Sequence, residues 1–202
     1  MERIVGLEQS QHRFHIRQKL TPMANRYVVH AAGPDGGEGE IVAFAHQKRL
    51  ALKEQITFYT DESQRQVLFT FRARQVVDLG ATYDIHAASG SPVGTLRKDF
   101  AASLLRSTWH LRPEGSTAET TGVERNRVVA LVRRVWDLIP FTDFVPFAWP
   151  YHFDFATSGR PVMSVEKQLG LRDRYVLDIA DETLDRRLAI AQAVALDALQ
   201  SR

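Results

Sequence analysis

The stretch LDRRLAIAQAVALDAL, residues Leu184–Leu199, decides how we expect the chain to fold. From Leu188 onward it is apolar on every side of a helix, and only Gln192 and Asp197 interrupt it. A helix that is apolar all round is buried. Sixteen helical residues extend about 24 Å, which is short of the roughly 30 Å hydrocarbon core of a bilayer. We therefore predict a helix buried inside the protein rather than a membrane span.

Short strand-like runs fill much of the chain ahead of this helix. They are rich in β-branched and aromatic residues and alternate with turn-forming clusters. In several of them apolar and polar residues alternate, as in a strand with one face exposed to solvent. The eleven runs are Arg13–Lys19, Arg26–Ala31, Glu40–His46, Gln55–Tyr59, Gln66–Arg72, Thr82–His86, Val93–Arg97, Thr108–Arg112, His152–Thr157, Pro161–Lys167 and Arg174–Ala180. A barrel of more than eight strands leaves a lumen that must be filled. We predict one mainly β domain over residues 1–202, a closed antiparallel barrel of about twelve strands around the helix.

Two further segments carry a local pattern. Glu124–Ile139 places Val128, Leu131 and Val135 at helical spacing, which predicts an amphipathic helix before the last three strands, although its valines leave a strand open. The loop Gly33–Gly39 lacks the Lys and Ser/Thr of a phosphate-binding P-loop and is not followed by a helical pattern. We therefore predict that this loop is a hairpin turn.

The order of several motifs resembles the LURP-one-related and phospholipid-scramblase group of tubby C-terminal-like domains. The motifs are Phe14–Lys19, Tyr27–Val29, Phe58–Asp61, Phe69–Arg74, Tyr83–Ile85, Gly90–Arg97, His152–Phe155, Asp173–Asp178 and the closing helix Asp185–Asp197. The resemblance implies a twelve-stranded barrel around a hydrophobic C-terminal helix. It also implies a link to lipid, since tubby domains bind phosphoinositides and scramblase-like members are tied to lipid and calcium. LURP-one-related members mostly lack a known activity, and no calcium-loop pattern of spaced Asp residues precedes the last helix.

Composition narrows the class of protein. The chain has 26 basic and 24 acidic residues, a net charge of +2, which is too even to predict nucleic-acid binding. Cysteine is absent, so a disulfide framework and a cysteine-based zinc site are excluded. The first eleven residues show no signal-peptide pattern. We expect a cytoplasmic location, with peripheral attachment to a membrane left open.

Catalytic signals are weak. The seven histidines, His12, His15, His30, His46, His86, His110 and His152, show no close metal-binding spacing. His30 and His46 fall on neighbouring predicted strands, yet isolated strand histidines are more often ordinary wall residues. No nucleophile elbow or triad order stands out. We expect no catalytic residue, no metal and no cofactor, and we lean toward a non-enzymatic protein.

A set of basic residues gives the first binding hypothesis. It consists of Lys48, Arg49, Lys53, Arg72, Arg74, Arg97 and Lys98. If these side chains converge on one side of the barrel, they form a site for phosphates. The alternative is a solvated surface of mixed charge. The hypothesis is a module that binds an anionic lipid headgroup or a membrane surface.

An aromatic segment gives the second hypothesis. Residues 136–151 contain Trp136, Phe141, Phe144, Phe147, Trp149 and Tyr151, interrupted by three prolines that break any continuous helix or central strand. The aromatic rings either cap one barrel end or stand exposed. If exposed, they suit a membrane interface or a partner protein. The alternative function is therefore a protein-interaction or scaffold domain that uses this segment and has no lipid role.

Overall fold

The computed structural model describes residues 7–21, 24–48, 54–74, 81–99, 108–125, 151–168 and 174–199. These residues form twelve strands and one helix. The strands are β1 Arg13–Thr21, β2 Ala24–Ala32, β3 Glu38–Lys48, β4 Gln55–Tyr59, β5 Val67–Ala73, β6 Thr82–Ala87, β7 Pro92–Asp99, β8 Thr108–Pro113, β9 Thr120–Glu124, β10 His152–Thr157, β11 Arg160–Gln168 and β12 Arg174–Ile179, and the helix is α1 Arg186–Ala198.

The strands form one closed antiparallel barrel, as the sequence predicts. Each strand pairs with its neighbours in the chain, and β1 also pairs with β12, from Arg13 opposite Asp178 to Arg17 opposite Arg174. The turn Gly33–Gly39 joins β2 to β3 as a hairpin, with the Gly33 N–H donating to the Gly37 carbonyl at 2.8 Å. We call the end where α1 begins the entry end and the end where α1 finishes the far end. Because the strands alternate in direction, β1, β3, β5, β7, β9 and β11 all finish at the far end.

Helix α1 fills the lumen and confirms the prediction for Leu184–Leu199. Its residues Leu188 to Leu196 are almost fully buried, and Asp185 caps it by accepting from the Arg187 N–H at 2.8 Å. Gly94 of β7 lets the helix approach the wall, since a Cβ there would lie 3.0 Å from Leu188 Cδ2. In the described part of the chain, no helix has the length and hydropathy needed to cross a bilayer.

Strand β9 is absent from the sequence prediction. Glu124, which we expected to begin an amphipathic helix, is instead the last residue of β9, and the rest of that predicted helix lies outside the described residues. The strand was missed because it is short and because Gly122 interrupts its run of β-branched residues, a pattern that favours a turn over a strand. In the barrel the glycine is required, since a Cβ on it would lie 2.1 Å from Cε1 of the buried Phe155 ring opposite.

Candidate anion-binding surface

The topology brings the strands that carry the predicted cations to one end of the barrel. Lys48 ends β3, and its side chain, like Arg49 and Lys53, lies outside the described part of the chain. The Ala73 N–H donates to the Glu54 carbonyl at 2.9 Å, so the residue that follows Lys53 adjoins the end of β5. Arg72 lies in the far-end half of β5, Arg74 directly follows β5, and Arg97 lies in the far-end half of β7.

Arg72, Arg74 and Arg97 project from one area of the outer wall, and we call them the arginine cluster. The Arg74 N–H donates to the Thr82 carbonyl at 3.0 Å, and Thr82 lies directly opposite Arg97 in the next ladder. Since neighbouring strands are about 4.8 Å apart, the backbones of Arg74 and Arg97 are about 10 Å apart. Arg72 faces outward because its neighbour Phe71 is fully buried in the lumen.

Among the described residues, nearby carboxylates compensate two members of the cluster but not the third. Two N–H groups on one edge of the Arg74 guanidinium donate to Asp84, from Nε to Oδ2 at 2.9 Å and from Nη2 to Oδ1 at 2.8 Å, and this hydrogen bonding raises the pKa of Arg74. Arg97 Nη2 lies 3.7 Å from Glu119 Oε1. Arg72 is directly opposite Asp84 in the ladder, yet among the described residues it has no carboxylate within ion-pair distance. Arg72 is exposed on the outer wall.

A shallow cavity of about 270 Å³ lies beside Arg72 on the outer wall between β5 and β6. Thr70 and His86 line it, opposite each other in the ladder, and within the described residues neither side chain makes a hydrogen bond. Val67, Ala87 and Ala88, which lie on the entry-end side of Thr70 and His86, supply its apolar part. Arg72, Thr70 and His86 thus line a shallow, open depression on the outer wall. The sequence prediction missed Thr70 and His86, because only the strand register places them beside Arg72.

Lys98 lies in the lumen rather than on the outer wall. It is only 8% exposed, and its Nζ donates to the Leu199 carbonyl at 2.9 Å and lies 5.8 Å from the centre of the Trp109 ring. Alternation along β7 requires this, since Arg97 faces outward. A cation at the C-terminal end of a helix is stabilised by the helix dipole. We therefore leave Lys98 out of the candidate surface.

Polar groups close the lumen around the far end of α1. Asp197 accepts hydrogen bonds from the hydroxyl groups of Tyr27, at 2.8 Å, and Tyr175. Burial and the Asp197 charge raise the pKa of Tyr27 well above its ordinary value, so this hydroxyl remains a donor. Lys167 lies 5.7 Å from the ring centres of Tyr151 and Tyr175. With the lumen occupied in this way, a ligand is expected to bind on the outside of the barrel.

The aromatic segment lies mostly beyond what the structure describes. Trp136, Phe141, Phe144, Phe147 and Trp149 are outside the described residues. Tyr151 is described, and it is buried and packs edge-on against Phe153 at 5.7 Å between ring centres. Residues 126–150 join Arg125 to Tyr151, which both adjoin strand ends at the far end. The segment therefore connects to the same end of the barrel as the arginine cluster.

The histidines do not form a metal site in the described part of the chain, which contains no group of three or more metal-ligating side chains. His30 and His46 are not brought together, because His30 is opposite Ile41 and His46 is opposite Arg26. His30 Nδ1 lies 3.0 Å from the Gly39 carbonyl, and His46 Nδ1 lies 3.0 Å from Gln64 Oε1. The His30 ring thus contacts the backbone near the start of β3, and the His46 ring contacts the hairpin loop between β4 and β5.

A closed twelve-stranded barrel around a buried C-terminal helix is the class of domain that the tubby-like resemblance implies. The family model described as LURP-one-related matches residues 41–197, and the chain belongs to this family. Comparison with curated proteins and with solved structures gives no significant match. Family membership accounts for the barrel and its central helix.

Proposed function

We propose that the protein is a non-enzymatic module that binds an anionic lipid headgroup or membrane surface through the arginine cluster. The observation that carries the proposal is the convergence of Arg72, Arg74 and Arg97 on one area of the outer wall near the far end. The occupied lumen supports an external site, because α1 leaves no interior space for a lipid.

Arg72 is the residue that we expect to contact the headgroup most directly. Its guanidinium has no carboxylate partner among the described residues, and it lies beside the cavity with Thr70 and His86. A guanidinium matches the geometry of phosphate oxygens through paired N–H donors. Arg74 and Arg97 add positive potential that Asp84 and Glu119 partly cancel, so binding should be modest and sensitive to salt.

The aromatic segment supports a membrane rather than a soluble ligand. Trp136, Phe144 and Trp149 belong to a stretch that joins strand ends at the far end. Tryptophan is enriched at membrane interfaces, where its amphipathic ring fits the headgroup region. Arginines on the wall and aromatic residues in the adjoining connection would then contact the same bilayer.

The test is cosedimentation of the full chain with two kinds of vesicle, phosphatidylcholine alone and phosphatidylcholine containing a phosphatidylinositol bisphosphate, at low and physiological salt. We expect binding to the anionic vesicles alone, weakened by salt. Replacing Arg72 and Arg97 together by Gln should reduce it. The matched control is Arg160→Gln together with Arg13→Gln, which removes the same charge from exposed residues at the entry end.

Equal binding to neutral vesicles, or equal losses in the two double variants, would contradict the proposal. Absence of binding to either vesicle at both salts would favour the protein-interaction alternative. In that case, replacing Phe144 and Phe147 by Ser should abolish capture of a partner without unfolding the barrel.

A further inference from the structure

Two cross-strand pairs of like charge lie next to each other on the outer wall. Arg17 of β1 is directly opposite Arg174 of β12, and Lys19 of β1 is directly opposite Arg26 of β2. Directly opposite residues have Cα atoms about 5 Å apart, and alternation with the buried Ile16 directs Arg17 outward. We call Arg17, Lys19, Arg26 and Arg174 the β12–β2 cluster.

Two glutamates compensate half of this charge. Arg17 Nε donates to Glu38 Oε1 at 2.5 Å, and Lys19 Nζ donates to Glu62 Oε1 at 2.5 Å. Glu38 begins β3, and Glu62 lies in the hairpin between β4 and β5, so both carboxylates reach the cluster from neighbouring parts of the barrel. Among the described residues, four cations against two carboxylates leave an excess of two positive charges.

Arg26 and Arg174 carry the excess. In the described part of the chain, neither has a carboxylate within ion-pair distance. The carboxylate of Glu166, on the neighbouring strand β11, lies 3.7 Å from His152 Nδ1. Arg174 is exposed and Arg26 is partly exposed. Like charges placed directly opposite are unfavourable, so an anion bound among these cations would relieve the repulsion.

We propose that the β12–β2 cluster binds a phosphate group, with Arg26 and Arg174 donating to its oxygens. Arg17 and Lys19 are held in place by Glu38 and Glu62 and add positive potential. Phosphate fits because its several oxygens accept from more than one guanidinium at once. The group belongs either to a phospholipid headgroup or to a soluble phosphate compound. The site shares no residue with the arginine cluster, so it stands independently of the function proposed above.

The first experiment measures the thermal unfolding temperature of the full chain by tryptophan fluorescence. It is done in sodium phosphate and in sodium chloride of the same ionic strength. We expect phosphate to raise the unfolding temperature of the wild type more than chloride does. Arg174→Gln and Arg26→Gln should each lose this excess, because removing one guanidinium should weaken phosphate binding about tenfold or more. Arg112→Gln, which changes an exposed arginine of β8 outside the cluster, should keep it.

Arg174→Gln also provides a readout that does not depend on phosphate. Because it removes one of two opposed cations, the variant should unfold in chloride at the same temperature as the wild type or higher. A lower unfolding temperature in chloride, together with an unchanged response to phosphate, would mean that Arg174 is structural and would overturn the proposal. An equal phosphate response in all four proteins would overturn it as well.

Vesicles that contain a phosphatidylinositol bisphosphate distinguish a lipid headgroup from a soluble phosphate compound as the ligand. If Arg174→Gln weakens vesicle binding, the site takes a lipid headgroup. If vesicle binding is unchanged while the phosphate response in solution is lost, the site takes a soluble phosphate. Loss of vesicle binding in the variant that lacks Arg72 and Arg97 bears on the arginine cluster alone, so the two proposals fail separately.

Discussion

Replacing Gly122 by Ala should destabilise the barrel through a single steric contact. A Cβ at this position would lie 2.1 Å from Cε1 and 2.4 Å from Cδ1 of Phe155, whereas carbon atoms normally approach to about 3.5–4.0 Å. Phe155 is 1% exposed, so its ring cannot swing into solvent. Overpacking of a core typically costs about 1–3 kcal/mol, and relief of the glycine's entropy cost returns about 0.5–1 kcal/mol. Because an approach of 2.1 Å is far inside contact distance, the cost should lie in the upper part of that range, and we expect a net loss of about 2 kcal/mol.

The assay is urea unfolding monitored by tryptophan fluorescence, and the free energy of unfolding is extrapolated linearly to water. Thr121→Ala, at the next position of the same strand, is the control and should cost less, because Thr121 faces outward. Adding Phe155→Leu should make the Gly122→Ala change less costly than it is alone, since the smaller side chain leaves room for the methyl group. A Gly122→Ala protein as stable as the wild type, or strictly additive losses in the double variant, would refute the packing described for β9.

Three further outcomes follow from buried or paired polar groups. Gln192→Met should raise the free energy of unfolding by about 1–2 kcal/mol, since neither amide atom of Gln192 has a hydrogen-bond partner in the described residues; a loss in urea unfolding would contradict this. Asp197→Ala should lower it by about 1–3 kcal/mol because two tyrosine hydroxyls lose their acceptor, and an unchanged unfolding temperature would count against that network. The hydrogen bond from Arg125 lowers the pKa of Asp154 from its ordinary value of 3.8. The wild type should therefore have a higher free energy of unfolding than Asp154→Asn above pH 3.8, and this difference should disappear on further acidification. A difference that grows in acid would contradict this.

The buried helix was predictable because its pattern is local. Apart from Gln192 and Asp197, residues Leu188 to Leu199 are apolar on every side, and such a helix must be enclosed wherever the strands run. Strand β9 was not predictable from its own residues, because the ring that makes Gly122 suitable there belongs to β10. Glu124 was misassigned for the same reason, since a short strand followed by a helical pattern gives no local boundary.

The candidate sites depend on register more than on composition. The sequence predicted that Arg72, Arg74 and Arg97 belong to an anion-binding surface. The compensation of Arg74 by Asp84 and the position of His86 depend on which residues face each other across β5 and β6. Lys98 was assigned to the surface with Arg97, and strand alternation separates them. The β12–β2 cluster escaped prediction because closure of the barrel joins residue 17 to residue 174.

The most direct test of the central claim is the dissociation constant for vesicles containing a phosphatidylinositol bisphosphate, measured at low salt for the wild type and for the variant with Arg72 and Arg97 replaced by Gln. The account predicts that the variant binds at least tenfold more weakly, as expected when charge-assisted hydrogen bonds are lost, while the Arg160 and Arg13 control binds like the wild type. Equal affinities for all three proteins would contradict it.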